Sequence, residues 1–154
     1  MAFLVTAADF KNATLLAFLQ AHLDDMAPTA PPGSRHALDA AGLQKPGIRM
    51  WVASDGQNLV GTVALVRISA CHEELKSMRT DPRHRGLGVA SMLLAHALDD
   101  AKHLGVYRIS LETGSMSFFA PAREFYRKHG FVACGPFGNY VEDPRSIFMT
   151  LAIQ

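Results

Sequence analysis

The residues best suited to chemistry fall between Glu74 and Leu98, where RHRGLGVA runs from Arg83 to Ala90. Gly86 and Gly88 allow the backbone close to a ligand, while Arg83, His84 and Arg85 supply charge. A helix starting near Val89 would aim its unsatisfied N–H groups at the same volume. Binding a phosphate or pyrophosphate is the chemistry such a turn performs. Two known phosphate motifs do not fit: Gly86-x-Gly88-x-x-Ser91 lacks the third glycine and the acidic ribose partner of a dinucleotide site, and no Lys-Ser/Thr pair follows as in a P-loop. On these residues alone, a tight strand-to-helix turn with solvated arginines is the plain alternative.

Positioning this turn requires a strand before it and a helix after it. Leu75 to Thr80 reads as the strand, closed by the turn Asp81-Pro82. Leu75, Met78 and Thr80 break the two-residue period, so either a bulge near Ser77 turns Leu75 and Met78 to one side, or they face opposite layers of a doubly covered sheet. The helix Val89 to Leu104 carries Val89, Leu93, Ala97, Ala101 and Leu104 on one face and ends at Gly105. Upstream, Phe3 to Thr6 is a strand, and a helix starting near Asp9 sets Leu15, Leu19, Leu23 and Met26 at helical spacing. The proline-rich APTAPPG, Ala27 to Gly33, ends it, and Ser34 caps a short second helix over 34–44. Ile48, Met50 and Val52 alternate with Arg49 and Trp51 before an Asp55-Gly56 turn and the apolar run Leu59 to Ile68. Downstream come the strand Tyr107 to Leu111, a helix opened by Pro121 and stopped by Gly130, the strand Phe131 to Cys134, and a half-buried last strand marked by Ile147, Met149, Leu151 and Ile153. The order β-α-α-β-β-β-α-β-α-β-β predicts a mixed sheet flanked by helices in one α/β domain over 1–154.

Bulk properties agree with one domain: 154 residues at 49% hydrophobic content bury one substantial core. A formal charge of +1 provides no global field for nucleic acid or an anionic membrane. The apolar start MAFLV meets Asp9 and Lys11 too soon for a membrane segment or signal peptide. Cys71 and Cys134 form no disulfide framework, so a cytoplasmic setting is expected. The seven histidines show no zinc spacing, and no metal is expected.

MRTDPRHRGLGVASMLL resembles the acyl-CoA-binding motif of the GNAT N-acetyltransferase superfamily, whose Arg/Gln-x-x-Gly-x-Gly/Ala pattern is met by Arg85, Gly88 and Ala90. LETG and AREFYRKHGF, with Ala122, Tyr126, Gly130 and Phe131, are similar to the family's second conserved block. The resemblance covers most of Leu75 to Phe131. It implies a GNAT-like fold whose central strands splay around acyl-CoA, and it favours the bulge. It also implies acetyl-CoA as co-substrate, met by Met78, Thr80, Arg85, Gly86, Leu87, Gly88, Val89, Ala90 and Ser91. One departure stands out: where many members carry Asn, this chain has Phe119, so that residue's contacts do not transfer.

The implied reaction moves an acetyl group to a primary amine of a small molecule or peptide by direct attack in a ternary complex. An alkylammonium with a pKa near ~10 must first lose a proton. By family precedent Glu74 is the preferred base, with Glu73 and Glu112 as rivals. The Met78 backbone N–H would stabilise the oxyanion and Tyr126 would protonate the departing thiolate. Family analogy puts Arg35, His36, Tyr140 and Asp143 beside the acceptor, the basic pair for a carboxylate and the acidic loop for a cation. A homodimer is compatible with the resemblance. The competing function is a catalytically silent acyl-CoA-binding or regulatory module on the same fold.

Overall fold

The computed structural model describes residues 2–29 and 37–153. Ser34, Arg35 and His36 lie outside them. Seven strands form one sheet in the order β1-β2-β3-β4-β5-β7-β6. They are β1 (Leu4–Ala7), β2 (Ile48–Ser54), β3 (Leu59–Ser69), β4 (His72–Thr80), β5 (Arg108–Gly114), β6 (Val132–Cys134) and β7 (Ser146–Ala152). Four helices flank them: α1 (Ala13–Met26), α2 (Ala40–Leu43), α3 (Val89–His103) and α4 (Ala120–Lys128). The element order is the expected one, and neighbouring strands are antiparallel except β4 and β5.

Alternation in β2 and β3 places side chains in two separate cores. Trp51, Val63 and Leu65 join Leu75, Leu93, Leu94, Ile109, Leu111 and Phe131 beneath α3 and α4. Met50 and Ala64 face the other way, against Leu15, Leu19 and Leu43 of α1 and α2. Both faces of the central sheet are therefore covered, as β7 also shows by burying Phe148, Met149 and Thr150 in succession. The expected half-buried last strand is buried on both sides along its centre.

Helix α1 starts later than its apolar pattern implied, because Asn12 is the cap and its side chain accepts the Thr14 N–H at 2.8 Å. Asp39, whose carboxylate accepts the Gly42 N–H, caps the short α2. Leu104 leaves the buried stripe of α3 and is 50% exposed.

Two irregularities interrupt β4. Opposite β3 the register passes from Ala64↔Lys76 to Thr62↔Arg79, so Ser77 and Met78 together oppose Val63. Ser77 adopts φ 53°, and the Thr62 hydroxyl donates to its carbonyl at 2.7 Å. This is the bulge, and it turns Met78 toward the core that holds Leu75. Toward β5, parallel pairing covers His72 to Glu74 and stops at Glu74↔Ser110. Beyond that point the two strands splay.

Candidate active site

The splay opens into a cleft of about 1080 Å³ that runs from the Gly86–Gly88 turn, between β4 and β5, to the C-terminal turn of α1. At one end Gly86 and Gly88 have φ of 77° and 85°, and Gly88 is the N-cap of α3 without any side-chain cap. A Cβ on either glycine would meet nothing within 4 Å, so glycine is required there by backbone conformation. The open approach to the uncapped helix N-terminus suits a pyrophosphate. Asp81 shapes the turn by accepting the Arg83 N–H, and His84 sits between the Asp81 and Asp55 carboxylates at 3.5 and 3.8 Å. These pairs tie the loop to the β2–β3 turn.

Of the nine residues expected to meet acyl-CoA, Met78, Thr80, Arg85, Gly86, Gly88, Val89, Ala90 and Ser91 line this cleft. Leu87 does not and is 53% exposed. These residues would hold an acyl-CoA, the Gly88 turn and the α3 N-terminus offering donors to its phosphates and the unpaired stretch of β4 offering backbone groups to its extended arm.

Tyr126 projects from α4 into the core between Phe125 and Phe131, at ring distances of 5.4 and 5.6 Å, and still lines the cleft. Its hydroxyl has no hydrogen-bond partner among the described residues, and burial pushes its pKa up, which keeps the phenol protonated. Phe119 presses its ring over Gly114, where a Cβ would lie 2.0 Å from the ring. It supplies an apolar wall to the cleft, beside Phe118 at 4.9 Å.

The three carboxylates separate sharply. Glu73 is 0% exposed and receives both terminal nitrogens of Arg49 at 2.8 Å, a pairing that holds it on the α3 side of the sheet. Glu74 Oε2 accepts the Tyr140 hydroxyl at 2.5 Å and the Lys76 ammonium at 3.3 Å, and Glu74 is not among the lining residues. Glu112 does line the cleft. It accepts the Ser146 hydroxyl at 2.7 Å, and burial, opposed by that bond and by Lys76, raises its pKa to about 7.

Tyr140 thus belongs to a cluster with Glu74 and Lys76, its hydroxyl also receiving Lys76 Nζ at 3.0 Å. Asp143 accepts the Arg145 N–H at 2.9 Å and lies outside the lining. Lys76, Arg79, Arg145 and Ser146, together with Gln20, His22 and Asp25 of α1, received no site role from the sequence. Lys76 was within reach of such a reading, since it follows Glu74 by two residues on the same strand face. The α1 residues carry no local signal, because only the tertiary fold brings the end of that helix over the splay. Among the described residues no group of three or more His, Cys, Asp or Glu could hold a metal, and no helix is long and apolar enough to cross a membrane.

Comparison with known proteins agrees with this geometry. Residues 15–131 match the model of the Acetyltransferase (GNAT) family. The chain is 43% identical over 142 residues to the uncharacterized N-acetyltransferase YsnE of Bacillus subtilis, spanning 92% of this chain and 94% of that protein. It is 38% identical to the uncharacterized N-acetyltransferase YedL of Escherichia coli, spanning 98% and 95%. The fold superposes on the coenzyme A complex of PaiA N-acetyltransferase from Thermoplasma acidophilum with a TM-score of 0.78 at 17% identity, covering 99% and 100% of the two chains. A bulged and splayed sheet, a glycine turn capping α3 and the matched sequence together establish that this chain belongs to the GNAT family of acyl-CoA-dependent N-acetyltransferases.

Proposed function

We propose that the protein transfers acetyl from acetyl-CoA to a primary amine of a small molecule or peptide by direct attack in a ternary complex. The observation that carries this reading is Glu112, a cleft carboxylate whose pKa is raised to about 7, placed across the splay from the Tyr126 side of the sheet. We assign the base to Glu112 in preference to Glu74, whose Oε2 is engaged by Tyr140 and Lys76.

The acceptor ammonium gives one proton to the Glu112 carboxylate, directly or through water. The freed amine nitrogen bonds to the thioester carbonyl carbon, and negative charge gathers on its oxygen. We place the Met78 N–H, next to the bulge at Ser77, against that oxygen to complement its charge. The C–S bond then breaks. The Tyr126 hydroxyl gives its proton to the sulfur and is replenished by the second proton leaving nitrogen. In sum, ammonium and thioester become amide, thiol and one proton released from Glu112. Phe119 and Phe118 screen the reacting atoms from water on one side. The free cysteines Cys71 and Cys134 support a reducing, cytoplasmic setting.

Thiol release from acetyl-CoA, measured with a panel of amines, tests the reading. Turnover with at least one acceptor is expected, and Tyr126→Phe should lower kcat by about 10- to 100-fold while leaving CoA affinity within about twofold. Tight CoA binding without turnover by any amine would instead identify a silent acyl-CoA-binding module. An unchanged rate in Tyr126→Phe would remove that residue from the mechanism.

A further inference from the structure

Pairing between β4 and β5 ends at Glu74↔Ser110, and two residues further along the same sheet face stand Lys76 and Glu112. They confront one another across the opening, close enough for Lys76 to counter part of the burial effect on Glu112. Lys76 is 12% exposed along its side chain and uses its ammonium on Glu74 and Tyr140, leaving one of its three protons to donate. Two further cations share this end of the cleft. Arg79 places its guanidinium 5.4 Å over the Phe18 ring and bonds Asp25 at 2.7 Å, while its Nε is buried with no hydrogen-bond partner. Arg145 directly precedes the Ser146 that donates to Glu112, and its guanidinium has no partner among the described residues.

The anions here are largely committed. Asp25 serves Arg79, Asp24 receives the Gln20 amide at 2.9 Å, and Glu74 serves Tyr140 and Lys76. His22, also lining this end, is held neutral by burial and by Arg79. A polyamine with one nitrogen at Glu112 would bring its next positive charge beside Lys76 and Arg145, while Asp24 and Asp25 stand apart on α1 and Asp143, whose charge also acts on Glu112, lies outside the lining. An amine that carries its own carboxylate would find complements for both charges.

We infer that the acceptor bears a carboxylate close to its amine, as an amino acid does, and that Lys76 and Arg145 hold this carboxylate while Glu112 meets the amine. The inference rests on the transferase reading and moves carboxylate recognition from Arg35 and His36 to residues on β4 and at the start of β7. Lys76 then fixes how far the amine stands from Glu112, and Arg145 sets the angle of approach.

Thiol release should be measured with the twenty amino acids, their carboxamides and the matching decarboxylated amines. The best amino acid should exceed its amide and its amine by at least about tenfold in kcat/KM, because a site built to hydrogen-bond an anion is left with unpaired donors by the neutral analogue. Arg145→Gln and Lys76→Met should each shrink that preference toward one. Amides or amines accepted as well as the acids, or a preference untouched in both variants, would overturn the inference. A second measurement separates it from the chemistry. Calorimetric titration of the CoA-loaded protein with N-acetylated amino acids and their N-acetylated amides should favour the acids by about tenfold even if no acceptor turns over. Equal affinities would overturn carboxylate recognition, whatever the fate of the transferase reading.

Discussion

Glu112 and Glu74 lie on strands whose alternation makes them neighbours on one sheet face, and both were legible as candidates. What distinguishes them is burial and hydrogen bonding, and neither is written in local spacing. Glu112 has a pKa raised to about 7, so kcat/KM should rise with pH through an apparent pKa near 7. Glu112→Gln should remove that limb and lower kcat by about 100-fold or more. A pH–rate profile of the variant that keeps the limb would return the base to Glu74 or to a water path. The same shift has a stability consequence. A carboxyl group whose pKa is higher in the folded than in the unfolded chain binds its proton more tightly when folded, so its contribution is greatest below the unfolded value and is lost as pH rises toward 7. Glu112→Gln should therefore melt higher than the parent at pH 8, with the difference shrinking toward pH 4. His22 works in the opposite sense: its pKa is lowered to about 4, chiefly by burial, so the stability it contributes is present above about 6.5 and falls away below it.

The strand–turn–helix unit was the most legible part of the fold. Gly86, Gly88 and the stripe Val89, Leu93, Ala97, Ala101 and Leu104 predict a glycine turn and a helix packed on a sheet, and all of the stripe except Leu104 is buried. The bulge was legible only as one of two answers to the Leu75–Met78 phase break, because β3 decides it: Thr62 must be opposite to hold the Ser77 carbonyl. Nothing in the local sequence marks Gly61, which seats α3. A Cβ there would stand 2.8 Å from Val89 Cγ1, 2.9 Å from Leu93 Cδ1 and 3.0 Å from the Arg79 carbonyl. Its neighbours are the first turn of α3 and the bulged strand, the two parts that form the anion end of the cleft. Gly61→Ala should cost about 1–3 kcal/mol in urea denaturation by overpacking and should weaken CoA binding in calorimetry, since the helix N-terminus must retreat. Normal stability together with normal CoA affinity would show that α3 yields there without moving the Gly88 turn.

Across the whole molecule the sheet separates two tasks. Its α3 and α4 face carries the anion turn and Tyr126; its other face carries Glu112 and Lys76, at the proposed acceptor end; the two meet in the cleft at the splay. An opening in the middle of a sheet forfeits ladder hydrogen bonds, so its root must be held by other means. Glu73, paired with Ile109 one step before the last β4–β5 pair, lies at that root. Arg49 of β2 grips it with two bonds and also bonds Asp100 of α3 at 2.6 Å, so one guanidinium joins β2, β4 and α3. Such a buried pair contributes little net stability over an apolar substitute, but removing one partner strands a charge. Arg49→Met should therefore cost about 3–5 kcal/mol, less whatever Arg67, 4.0 Å from Glu73, recovers. Adding Glu73→Leu should restore most of the loss, because the site then becomes apolar while Asp100, partly exposed, returns to water. Urea denaturation of Arg49→Met, Glu73→Leu and the double variant gives the coupling. If the double variant regains stability and yet binds CoA poorly, the network positions the splay as well as stabilising it; if the single variant loses under about 1 kcal/mol, Arg49 does not anchor the root, and the opening is held by packing on α3 alone.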